Sequence, residues 1–187
     1  MPAPLISRDE VLNRLAAAFR QDGYDGASIS RLSKSTGLGK ASLYHYFPGG
    51  KIEMAAAVLE HLGARFDKLI LAPLRSSALP EERLNRMILG LSEFYRQGES
   101  ACVVELFAIG ELQSSLGSAL DTVLAGWIDT LASVLEAAGQ PAARARSRAE
   151  DAVIAVEGAL VVGRARSSVE PFQRTLAEMP GRLLAGS

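Results

Sequence analysis

Apolar residues recur every three or four positions along almost the whole chain, and no stretch shows the period of two expected of a half-buried strand. The pattern points away from a sheet and toward an all-α fold. Leu84, Met87, Ile88, Leu91, Phe94 and Tyr95 form one stripe, and Leu116, Leu120, Val123, Leu124, Trp127, Leu131, Val134 and Leu135 form a longer one. Glycine and proline punctuate the pattern at Gly23, Gly37, Pro48-Gly49-Gly50, Pro73, Gly139 with Pro141, and Pro180. The spacing predicts about nine helices. Three short ones precede residue 50, and a long one covers about 51–71. Five more lie over about 80–95, 103–112, 116–135, 142–166 and 171 to 179 or 184, where Pro180 must kink or end the last.

Within the first 50 residues the ends of the helices are spelled out. Ser7-Arg8-Asp9-Glu10 is a capping box, in which the serine hydroxyl and the glutamate carboxylate satisfy each other's orphan amides. Ser28 caps the second helix, Gly37 closes it and turns the chain, and Gly39 opens a third that ends at Phe47-Pro48. The layout is two short helices around a glycine turn, that of a helix-turn-helix nucleic-acid reader. Lys40, Ala41 and Ser42 occupy the exposed first turn of the third helix, with His45 one turn on, while Leu43 and Phe47 face the core. Charge agrees with this placement. Residues 1–51 hold seven basic against four acidic residues, a net +3, which leaves −4 for the rest of a chain whose total is −1.

These residues, from Gly26 through Met54, resemble the TetR/AcrR transcriptional regulators, specifically over residues 7–60 and only in architecture beyond. The resemblance implies base-edge contacts from Lys40, Ala41, Ser42 and His45, and phosphate contacts from Ser28, Tyr44, Tyr46 and Lys51. It implies a DNA-binding domain over 1–50 and a ligand-binding and dimerisation domain over 51–187, linked by the helix from about 51. Three departures stand out: Gly39 where Ser or Thr is usual, Ser33 and Thr36 in place of alanines, and an extra glycine before Lys51. None removes a contact donor.

The body carries apolar residues on helices expected to converge beneath the fourth: Phe66, Leu69, Phe94, Tyr95, Phe107, Leu112, Leu120 and Trp127. A cavity among them would take a small apolar or amphipathic molecule. Ala155, Ala159, Val162 and Gly163 place small residues at helical spacing, and Phe172, Leu176 and Met179 supply an apolar stripe; the resemblance implies a homodimer interface there. The expected function is a homodimeric repressor that binds a palindromic operator and is released by an effector. The alternative is a helical ligand-binding or adaptor protein whose head does not bind DNA.

Other chemistry finds no support in the pattern. Two histidines in separate segments give no metal pair, and no serine sits in a nucleophile elbow, so neither a metal, a cofactor nor an enzymatic activity is expected. Cys102, the single cysteine, cannot form an intramolecular disulfide and fits a reducing cytoplasm. Arg144, Arg146 and Arg148 alternate along a helix and do not make one basic face. The N-terminus lacks the basic-then-apolar order of a secretory signal, and the longest apolar run, Val153 to Val162, is interrupted by Glu157. The expectation is a soluble, intracellular protein with no membrane partner.

Overall fold

The computed structural model describes residues 6–102 and 111–185, with side chains of the second stretch from 116 onward. Its described residues form eight helices and no strand. Helix α1 (Arg8–Gly26) starts where Ser7 Oγ accepts the Glu10 amide at 3.2 Å. Gly23, at φ 69° and ψ 170°, interrupts it as the sequence predicts, and one further turn follows. Helices α2 (Ile29–Thr36) and α3 (Lys40–Tyr46) complete a head closed by the N-terminal half of α4 (Lys51–Phe66). Val11, Leu15, Phe19, Leu32, Leu43, Phe47, Met54 and Val58 are all fully buried, so α1, α2, α3 and α4 share one core.

Helix α4 does not stop at Leu71. It widens into a π-helical turn (Asp67–Leu71), with the Ala72 amide donating to the Asp67 carbonyl, and ends in a last α turn (Ala72–Leu74) that carries Pro73. Helix α5 (Pro80–Phe94) crosses this widened turn at Gly90. A Cβ on Gly90 would lie 2.0 Å from the Leu69 carbonyl oxygen, so the two helices meet backbone to backbone. A 3-10 turn (Arg96–Gly98) follows. The helix expected over 103–112 lies mostly outside the described residues.

The rest is a stack of three helices, α6 (Glu111–Ala137), α7 (Ala142–Arg166) and α8 (Glu170–Leu184). Within α6, Leu116–Ala137 is long and apolar enough to cross a membrane by composition, which corrects the reading of Val153 to Val162 as the longest apolar run. Its Leu116, Leu120, Trp127, Leu131, Val134 and Leu135 are buried against the other helices, and only 33% of the apolar window is buried in all, the pattern of a helix with one buried face. Pro180 neither ends nor breaks α8, which runs on to Leu184 without that one backbone donor. The α7–α8 turn is tight: Ser167 adopts a left-handed conformation, and Ser168 N donates to Gly163 O at 2.9 Å.

Candidate nucleic-acid interface and apolar cavity

The turn between α2 and α3 is held by side chains as much as by backbone. Gly37 takes φ 75°, open to glycine at no steric cost, and its amide donates to Ser33 O at 3.0 Å. Thr36 Oγ1 donates to Leu32 O at 2.8 Å and accepts the Leu38 amide at 3.3 Å, while Ser33 Oγ donates to Leu38 O at 2.7 Å. The two residues that depart from the family's alanines therefore brace this turn. From α1, Arg14 Nη1 donates to Thr36 O at 3.0 Å, and its Nε reaches Glu10 at 2.7 Å.

This scaffold sets α3 with Leu43 and Phe47 inward and Lys40, Ala41, Ser42, Tyr44 and His45 outward. Tyr46 is half-buried. Ser28 Oγ caps α2 by accepting the Arg31 amide at 3.3 Å, which leaves its own hydroxyl proton on the same surface. Lys51 has a second task that the sequence does not announce. Its ammonium donates to Tyr24 O at 3.0 Å and lies 4.2 Å from the Tyr24 ring centre, so it first ties the end of α1 to the start of α4. Two of its three donors remain for another acceptor. The carbonyl it meets lies 27 residues earlier, a separation that leaves no mark in local spacing.

In the body, α4 contributes Leu59, Leu62, Gly63 and Phe66 to an apolar cavity, α5 Phe94 and Tyr95, α6 Leu120, Val123, Leu124 and Trp127, and α7 Glu157. Phe66 packs edge-on against Trp127 at 5.1 Å and against Phe94 at 5.3 Å between ring centres. Of the eight residues expected to line such a space, Phe66, Phe94, Tyr95, Leu120 and Trp127 do so. Leu69 does not: it lies in the π turn, where its carbonyl faces Gly90. Phe107 and the side chain of Leu112 lie outside the described residues.

The cavity has two polar features. Tyr95 OH donates to Glu157 Oε1 at 3.1 Å, and burial, reinforced by the Glu157 charge, holds the phenol well above its ordinary pKa. Among the described residues, the buried indole N–H of Trp127 has no hydrogen-bond partner. Glu157 was legible only as the charge breaking an apolar run. The free volume is about 30 Å³, room for about one water, so occupancy by anything larger requires the helices to part.

The residues expected at a dimer interface divide. Ala159, Gly163, Phe172, Leu176 and Met179 are already buried within the chain, where α8 packs on α7. A Cβ on Gly163 would lie 2.7 Å from Ser168 O, so that glycine serves the α7–α8 turn. These five residues are therefore packed within the chain itself. Ala155 is half-buried and Val162 is exposed. The outward face of α7 instead carries Ile154, Gly158, Val161, Val162 and Ala165 at successive helical turns, with Ile154 61% exposed.

Comparison with known proteins accounts for both halves. Residues 11–58 match the family model for bacterial regulatory proteins of the tetR family, and residues 80–178 match that for the C-terminal domain of LmrA/YxaF-like transcriptional regulators. This chain belongs to the TetR family. An uncharacterised HTH-type regulator of Mycobacterium tuberculosis is 25% identical over 183 residues, covering 95% of this chain and 94% of that protein. The regulator YxaF of Bacillus subtilis is 32% identical over 82 residues, 44% of this chain, and the chain spans only 43% of that relative's length. Among solved structures, a TetR regulator of Legionella pneumophila superposes with a TM-score of 0.80 at 20% identity, covering 95% of this chain and 98% of that one. The TetR-family regulator CifR, solved with a 26-bp operator duplex, superposes at 0.75 with 20% identity and 98% coverage of each chain. At these identities the structural likenesses establish the fold, and the family models establish membership.

Proposed function

We propose that this protein is an effector-controlled repressor that binds a palindromic operator as a homodimer in the cytoplasm. The observation that carries the reading is the first turn of α3. Lys40, Ala41 and Ser42 stand exposed on a helix whose Leu43 and Phe47 are fully buried, so its polar edge is rigidly presented. A rigid helix with a short polar edge is what a major groove admits. Ser28, Tyr44, Tyr46 and Lys51 frame it as the phosphate-holding set, and His45 extends the reading edge. Residues 1–50 act as the reader and 51–187 as the sensing and pairing domain, with α4 common to both.

The exposed stripe of Ile154, Val161 and Val162 on α7 supports pairing of two copies through that face, with Ala155 at its margin. Two heads would then sit about 34–36 Å apart or at a related spacing on one face of DNA. The effector enters the apolar cavity under α4. Because that space is small in the present conformation, a ligand favours a more open arrangement of α4, and by linkage it lowers operator affinity by the factor that operator lowers its own. No cofactor takes part.

In vitro selection of bound duplexes, followed by anisotropy titrations across salt, tests the reading. A palindromic consensus should emerge, with affinity falling steeply as salt rises. Lys40→Ala or Ser42→Ala should relax preference at defined positions and cost about 1–3 kcal/mol each in operator binding, with melting unchanged. A protein that selects no sequence, and whose weak binding ignores both substitutions, would instead be an adaptor with a silent head.

A further inference from the structure

Lys51 stands where its own helix does not favour it. It is the first residue of α4, at the positive end of that helix's dipole, where an anion is the stabilising charge. Glu53, in the same turn, obeys that preference and accepts the Gly49 amide at 2.6 Å. The cation is compensated from another helix. Helix α1 has no basic residue in its own last turn, and the negative end of its dipole meets Lys51 instead, through the Tyr24 carbonyl at 3.0 Å. The Tyr24 ring adds the attraction of its π face, with its centre 4.2 Å from the ammonium.

That ring is anchored in the core of the head. It is stacked on Phe19, with 6.0 Å between ring centres and 25° between planes, and Phe19 is fully buried. Gly23, at φ 69°, breaks α1 just before it, so Tyr24 belongs to the separate last turn that faces the start of α4. A free lysine side chain is a flexible four-carbon stem, and binding a phosphate costs it that freedom. Here the ring and the carbonyl have already restrained it, and two N–H donors remain for an acceptor.

We propose that Tyr24 is a positioning residue for DNA binding, which acts through Lys51 by fixing its ammonium in advance as a phosphate anchor. The proposal rests on the reading of Lys51 as part of a DNA interface, and it names the residue that makes this one contact rigid. Charge comes from Lys51, and the low entropic cost of using it comes from Tyr24.

The test is a double-mutant cycle on operator affinity, read by anisotropy with a duplex obtained by in vitro selection. Tyr24→Leu should weaken binding roughly three- to tenfold at all operator variants alike, with base preference unchanged. Tyr24→Phe, which keeps the ring and the carbonyl, should bind within about twofold of the parent. Lys51→Met should weaken binding and lower the salt slope by about one, and in that background Tyr24→Leu should have no further effect. A ring that merely supported the fold of the head would weaken both backgrounds equally, and that result would overturn the proposal. So would a Tyr24→Leu protein that binds as tightly as the parent, or more tightly. If Tyr24→Leu fails to fold, fluorinated phenylalanines at position 24 keep the shape of the ring while draining its π face. Affinity should then fall stepwise with fluorine count, and an absent trend refutes the proposal. A parent that selects no duplex refutes the reading of the head and this proposal with it, whereas a parent that selects one while Tyr24→Leu is unaffected refutes this proposal alone.

Discussion

The head and the body are stabilised in opposite ways. Head helices α2 and α3 span eight and seven residues, too short to persist in isolation, and the turns around them are laced with side-chain bonds from Ser7, Arg14, Ser28, Ser33 and Thr36. Body helices α5, α7 and α8 span 15, 25 and 15 residues, and none has a side-chain bond from its N-cap residue, although Ser168 Oγ accepts the first amide of α8 at 3.3 Å. They are held by buried area, and the body tolerates irregularities the head does not contain: a π turn, an internal proline and an indole N–H without an acceptor. A reader must hold one shape, which local bonds enforce. A sensor of the proposed kind needs a second shape within reach.

The sharpest way to break this contrast is at the one body contact that is not loose. Gly90→Leu places a branch against the Leu69 carbonyl and should cost about 3 kcal/mol or more, seen as a large loss in calorimetric melting temperature. An unchanged melt would mean that α4 and α5 slide freely. Next in size is Tyr95→Phe, which removes the donor to Glu157 and should cost about 2 kcal/mol at neutral pH in denaturant titrations. Because the folded phenol titrates well above its unfolded value near 10, the parent loses stability as pH climbs past about 10 and the variant does not. The gap should therefore narrow in alkali; a widening gap would contradict the assigned shift.

Thr36→Val probes the head's dependence on local bonds. It strips the bonds that Oγ1 makes to the Leu32 and Ser33 carbonyls and accepts from the Leu38 amide, and should cost about 1 kcal/mol, with operator affinity falling in parallel as the turn loosens. If stability falls while operator affinity holds, the turn is not what positions α3. The smallest effect is expected at Gly63, which borders the cavity and where an added methyl would have nothing within 4 Å. Gly63→Ala should stabilise by about 0.5 kcal/mol through helix propensity while blunting any effector-induced shift in Trp127 fluorescence.

Much of the head was legible because its signals are local. Ser7, Ser28 and Gly37 act at the positions their spacing indicates, and Leu43 and Phe47 point inward as a four-residue interval requires. The body was legible in outline only. Helix α7 is apolar or small on two faces, so periodicity alone could not say that Ala159 and Gly163 turn toward α8 while Ile154 and Val161 turn outward. The contact of Gly90 with Leu69 O leaves no periodic trace, because it involves no side chain. Glu157 was visible as an interruption, but its partner Tyr95 lies 62 residues away and only folding joins them.

The meeting of Gly90 with the π turn makes α4 a lever with a fixed fulcrum. From Leu69 to Lys51 the helix extends roughly 27 Å, whereas Phe66 on the cavity wall stands only roughly 4.5 Å from the same point. Pressure on Phe66 is thus applied close to the pivot, and the mechanical advantage runs outward. A displacement of about 1 Å at the cavity becomes about sixfold larger where α4 enters the head, comparable to the rise of a full helical turn.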